Sequence, residues 1–150
     1  MHEGVIMAHK YRVVRGNASP EDAISAASYP ASGSFIDVSG VSFVHIWVEL
    51  GAIAASDAPV FTVQATSAAN GTLATVDSSN LVHTAADDDD DELVYFGFPT
   101  AILPTDSHFI TLTASGTLVG TQASITFWLE DHEKPVTQGA LPAASIHYTA

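Results

Sequence analysis

The residues best equipped for chemistry in this chain are six consecutive acids, Asp87 to Glu92, together with seven histidines and two tryptophans. A run of carboxylates could hold Ca²⁺, a hard cation that takes roughly 6–8 oxygen ligands. The spacing does not make a dedicated site. An EF-hand loop opening at Asp87 requires glycine where Glu92 stands, and the side chains of consecutive residues diverge along an extended chain. The run therefore reads as a solvated acidic loop ahead of a strand at Leu93. Weak cation binding and contact with a basic partner patch are the other readings. His2, His9, His45, His83, His108, His132 and His147 show no pair four residues apart, and His132-Glu133-Lys134-Pro135 lacks the second histidine of a zincin motif. They read as polar residues on half-exposed faces. Ser42, in Gly40-Val41-Ser42-Phe43-Val44, lacks the second glycine of a nucleophile elbow. There is no glycine-rich loop followed by Lys-Ser or Lys-Thr, and no spacing singles out a carboxylate pair. No catalytic residue, cofactor or metal ligand is assigned, and an enzyme is not expected.

Binding is the more promising chemistry. Trp47 and Trp128 both fall in alternating segments, on the face opposite the cleaner apolar stripe. There an indole anchors an interface, stacks on a sugar ring, or packs beneath a loop. Lys10, Arg12 and Arg15 are three of the four basic residues, which places a positive N-terminal segment on an acidic body. Such a segment suits docking on an acidic neighbouring surface, where charge sets register more than affinity.

The elements that must position these residues are strands. Val44, Ile46, Val48 and Leu50 share one face of a segment whose other face carries Phe43, His45, Trp47 and Glu49. The same period-2 pattern recurs in Val60 to Thr66, Phe109 to Ala114 and Ala123 to Glu130. Leu93 to Phe98 is apolar on both faces and reads as a central or covered strand. Shorter candidates are Phe35 to Val38, Leu73 to Val76 and Leu81 to Thr84, with another between Val5 and Val14. Breakers separate them, among them Ser39-Gly40, Asp57-Ala58-Pro59 and Asn70-Gly71; the last predicts a type I′ hairpin turn. Ser19 to Ile24 is the one short-helix candidate, with Ser19 as cap and Pro20 in the first turn. The pattern predicts an all-β fold, an antiparallel, jelly-roll-like β-sandwich of about eight strands. The expected organisation is a strand-bearing N-terminal arm over 1–32, a sandwich core over 33–134 and a C-terminal tail over 135–150, within one domain.

Composition narrows the partners. With 4 Lys+Arg against 17 Asp+Glu the formal charge is −13, which disfavours nucleic acid and anionic membrane surfaces. No segment is long and apolar enough for a membrane-spanning helix, and the N-terminus lacks a signal-peptide pattern. Cysteine is absent, so the core alone holds the fold. Mean hydropathy is +0.23, a globular rather than a disordered value. Charged residues make up only 14%, against roughly 25% in ordinary domains, so surfaces of Ser, Thr and Ala are available for association.

In order, Gly33-Ser34-Phe35-Ile36-Asp37-Val38-Ser39-Gly40, Val48-Glu49-Leu50-Gly51-Ala52, Asn70-Gly71-Thr72, the acidic turn and Pro135-Val136-Thr137-Gln138 resemble the turn-and-strand patterns of small β-sandwich virion proteins of tailed bacteriophages. The resemblance covers roughly 33–138. It implies a structural virion protein without catalytic residues, a capsid decoration (cement) protein on the outer surface of the head. The implied partners are the major capsid protein and further copies of the chain, with a trimer favoured. Lys10, Arg12, Arg15, Trp47 and Trp128 are the interface candidates. The alternatives are a carbohydrate-binding or adhesion sandwich, stacking sugars on Trp47 or Trp128 with Ca²⁺ at Asp87 to Glu92, and a tail or head-fibre component.

Overall fold

The computed structural model describes residues 11–17, 23–131 and 145–149. Segments that alternate β-branched or aromatic residues with polar ones satisfy a pleated surface buried on one side. Among the described residues they form eleven strands: β1 (Tyr11–Arg15), β2 (Ala27–Tyr29), β3 (Ile36–Asp37), β4 (Val41–Leu50), β5 (Ala58–Thr66), β6 (Ala74–Thr75), β7 (Val82–Thr84), β8 (Leu93–Pro99), β9 (Phe109–Thr117), β10 (Ala123–Asp131) and β11 (Ser145–Thr149). The first sheet has the order β1-β10-β4-β8-β11. The second has the order β2-β9-β5-β6, with β3 also on β9 and β7 on β5. Every pairing is antiparallel except that of β11 with β8. From β1 to β10 the chain passes repeatedly from one sheet to the other.

The two inner faces meet in one apolar core. Val44, Ile46 and Val48 of β4, Ile125, Phe127 and Leu129 of β10, and Val94, Phe96 and Phe98 of β8 come from the first sheet. Phe61, Val63 and Ala65 of β5 and Ile110, Leu112 and Ala114 of β9 come from the second. The protein is thus an all-β sandwich. The stripe predicted for Val44 to Leu50 is core, and Leu93 to Phe98 is an interior strand between β4 and β11.

Three local expectations change. The strand count exceeds eight because β2 and β11 carry no long alternation, so pairing with β9 and β8 creates them rather than their own pattern. Tyr11–Arg15 overlaps the N-terminal strand candidate and pairs with β10, whereas Ala27–Tyr29 and Ser145–Thr149 are strands where the sequence pattern marks none. Asn70-Gly71 does not form a type I′ turn, since Gly71 has no positive φ. β5 and β6 pair only through Gln64↔Thr75 and Ala65↔Ala74, and the wider loop between them folds with Gly71 N donating to the Ala68 carbonyl. A Cβ on Gly71 would collide with Thr66 Oγ1, so close approach rather than φ requires the glycine. The helix candidate Ser19 to Ile24 lies mostly outside the described residues; its Ala23 bridges Gln122.

Where the chain crosses from one sheet to the other, Asp57 in the β4–β5 connection is a buried clamp on the β9–β10 connection. Its carboxylate accepts the N–H groups of Val119 at 3.0 Å and Gly120 at 2.9 Å, and the Thr121 hydroxyl at 2.7 Å. The Gly120 N–H foremost, with Val119 and Thr121, holds the carboxyl below the usual carboxylate range, against the opposing effect of burial. Asp77 is lowered by Asn80 and Ser79, and Asp37 by Ser39. An acid whose pKa is lowered on folding adds stability above its unfolded pKa and loses it as pH falls through the folded value. Thermal stability is therefore expected to fall below about pH 4, near the unfolded aspartate value. Asp57→Asn, which sets an amide among donors, is expected to lower the Tm at pH 7 by on the order of 5 °C and to flatten the acid limb. Thermal scans of both proteins between pH 2 and 7 check this.

Candidate functional site

The outer faces of the two sheets differ in chemistry. On the second sheet small hydroxyl and amide groups bond across strands: Ser28 Oγ to Thr113 Oγ1 at 3.3 Å, Thr113 Oγ1 to Gln64 Oε1, and Thr111 Oγ1 to the Pro30 carbonyl at 2.7 Å. The first sheet carries aromatic rings and the polar groups between them. Its register places Trp128 opposite His45 and His45 opposite Gly97, with Thr126, Trp47 and Tyr95 in the next row and Ser124, Glu49 and Leu93 in the one after. On β1, Val13 lies opposite Trp128, Tyr11 opposite Glu130 and Arg15 opposite Thr126.

Two constellations result. The first is a diagonal relay across three strands. Tyr95 Oη lies 2.6 Å from His45 Nδ1, and His45 Nε2 lies 3.0 Å from Glu130 Oε2. A carboxylate only accepts, so Nε2 carries the proton donated to Glu130; with the imidazole neutral, Nδ1 accepts from the Tyr95 hydroxyl. The arrangement has the logic of an acid–histidine–hydroxyl triad. Its hydroxyl, however, belongs to a fully buried tyrosine, and Glu130 is buried as well. The Tyr95 hydroxyl has no surface from which to reach a substrate, so this relay ties β4, β8 and β10 together. Ser42 reinforces the same strand pair, its hydroxyl donating to the carbonyls of Glu130 at 3.0 Å and Asp131 at 2.9 Å where the β4–β10 register shifts.

The second constellation is aromatic. Trp47 packs on Tyr95 with ring centroids 4.5 Å apart and meets Trp128 edge-to-face at 6.5 Å and 64°. Trp128 in turn meets Tyr11 edge-to-face at 6.2 Å. Trp128 is 42% exposed, Tyr11 44% and Val13 57%, giving a contiguous apolar strip along β1 and β10. Beside it is a cleft of about 200 Å³ lined by Trp47, Glu49, Leu93, Thr126 and Trp128. Trp47 Nε1 is buried without a hydrogen-bond partner, so Trp47 offers the cleft ring surface rather than a donor.

The interface candidates separate accordingly. Trp47 and Trp128, 81 positions apart in sequence, come together because β4 and β10 are neighbours. Arg12 is exposed, but its Nη2 donates to the Asp37 carbonyl at 2.8 Å and so links the two sheets. Arg15 stands on the outer face of β1, and Lys10 lies outside the described residues. His45, Tyr95, Glu130 and Glu49 are not among the interface candidates. Alternation puts His45 and Glu49 on the Trp47 face, but only strand order shows which partners they meet.

The acidic run is a loop, as expected. A single 3₁₀ turn covers Asp87–Asp89, Asp89 Oδ2 accepts from Ala86 N at 3.0 Å and Asp90 Oδ1 from Ile53 N at 2.7 Å. These carboxylates thus serve the backbone around them. His83 Nε2 lies 3.8 Å from Asp89 Oδ2, and burial lowers its pKa despite that neighbour. Among the described residues no group of three or more His, Asp or Glu is placed to hold a metal ion, and no helix is long and apolar enough to cross a membrane. Set against known protein families, curated proteins and solved structures, the chain matches none.

Proposed function

We propose that the protein is a structural virion component of a tailed bacteriophage, a capsid decoration (cement) protein that bridges neighbouring major capsid subunits on the outer surface of the head. The observation that carries this reading is the exposed Tyr11–Val13–Trp128 strip on the first sheet, a surface suited to covering by another protein. The resemblance of residues 33–138 to small phage sandwich proteins supports it. So does the passage of the chain between the sheets, the kind of connection a jelly roll makes. A protein that binds only the assembled lattice stabilises it by mass action and needs a stiff scaffold rather than a reaction centre. Further copies of the chain, as a trimer, complete the proposed assembly.

Mixing the protein with expanded capsids that lack it is the direct test. Copies bound are expected to saturate at a fixed ratio to capsid subunits. Val13→Asp, a change at an exposed strand position, is expected to weaken binding at least tenfold while the circular dichroism spectrum stays the same. No binding by the wild-type protein defeats the proposal. The second reading is a glycan-binding sandwich, which would stack a sugar on the exposed ring of Trp128. Sugar binding together with indifference to capsids would establish it.

A further inference from the structure

We infer that the Trp47–Trp128 cleft is a cage for one organic cation, the ammonium or guanidinium group of a Lys or Arg side chain presented by a protein partner. Two indoles inclined at 64° form two walls of the cleft. Both offer π surface, which attracts a cation held within about 6 Å of the ring centroid. Glu49, exposed at the end of β4, adds a carboxylate beside them, and Leu93 supplies an apolar wall for the aliphatic stem of the side chain. Trp47 Nε1 is buried and so does not present its N–H to the occupant.

The same lining argues against a sugar. A pyranose needs several convergent donors and acceptors around its stacking face. Here the side-chain polar groups are one carboxylate, the Thr126 hydroxyl and the Trp128 indole N–H, too few to ring a sugar. Anions are disfavoured by Glu49 and by a net charge of −13, which also draws cations toward the protein. The chain's own Arg15 lies opposite Thr126 on β1 and does not line the cleft. Only the identity of the partner rests on the assembly reading; the cage is tested apart from it.

Trp47 and Trp128 are the two tryptophans of the chain, so fluorescence excited selectively in tryptophan, beyond the absorption of the four tyrosines, reports on this cleft. Titration of the full-length protein with tetramethylammonium and with arginine ethyl ester is expected to quench or shift the emission saturably in the millimolar range. Trp128→Ala is expected to weaken binding about tenfold and Glu49→Gln about threefold. Glu49→Gln removes the charge and keeps the shape, so its result stands even if Trp128→Ala folds poorly. Methyl glucoside at equal concentration is expected to leave the emission unchanged. No response to either cation overturns the cage, as does a response undiminished in Glu49→Gln, or one given by the glucoside instead. Capsid binding by the two variants is read separately. Its reduction alongside lost cation binding supports a basic capsid side chain as occupant. Cation binding by a protein that ignores capsids rejects the assembly reading and leaves the cage standing.

Discussion

Gly97→Ala is expected to destabilise the protein by about 2–4 kcal/mol, a large effect for one added methyl group. Gly97 has no positive φ, so backbone conformation does not demand it. Space does. An alanine Cβ would lie 2.7 Å from Tyr95 Cζ and 2.8 Å from Cε1, because the Tyr95 ring lies across the glycine on the outer face of β8. A surface ring would swing aside at little cost. This one is fully buried, packs on Trp47 and is held by its hydroxyl to His45, itself bonded to the buried Glu130. Displacing it leaves polar groups in the relay imperfectly bonded, a penalty of about 1–3 kcal/mol per group. Denaturant unfolding measures the total, and a double-mutant cycle tests the cause. In a Tyr95→Phe background, where the hydroxyl is gone, Gly97→Ala is expected to cost less, with a coupling of about 1 kcal/mol. Additive effects refute the contribution of the hydroxyl relay and leave the ring contact alone to account for the loss.

Phe127→Ala is expected to cost about 3–5 kcal/mol, a large fraction of the roughly 5–15 kcal/mol of a typical domain. Phe127 is fully buried on β10, between Val14 of β1 and Ile46 of β4 on the inner face. Its ring also faces Gly16, where a Cβ would lie 3.0 Å from Phe127 Cε1. The strands on either side are hydrogen-bonded to β10 and cannot close over the space, so a cavity remains. A Tm fall of roughly 10–15 °C follows for a domain of this size. Phe127→Leu keeps most of the volume and is expected to lose less than half as much. Equal losses for the two variants would mean that ring shape, not cavity volume, sets the cost.

Fold class was legible because it depends on a local periodicity. A strand with one face in the core must alternate, and Val44 to Leu50, Phe61 to Ala65 and Ala123 to Leu129 do so without reference to anything distant. Even the both-sided apolar run at Leu93 to Phe98 declared its interior place. Turn geometry was less legible. Asn70-Gly71 carries the composition of a tight hairpin, yet β6 pairs with β5 over only two residues, and the wider loop overrides the local preference. β2 and β11 were illegible for the opposite reason, since their strand character is conferred by the neighbours they pair with.

Trp47 and Trp128 could be placed on an outer face from sequence, since side-chain direction along a strand follows a period of two. That they form one cleft with Glu49, Thr126 and Leu93, and that His45 reaches both Tyr95 and Glu130, was decided by the order β10-β4-β8 and its register. Alternation specifies the face a residue occupies. Which residue stands beside it is set by long-range pairing, where a one-residue slip would exchange the aromatic face for the core.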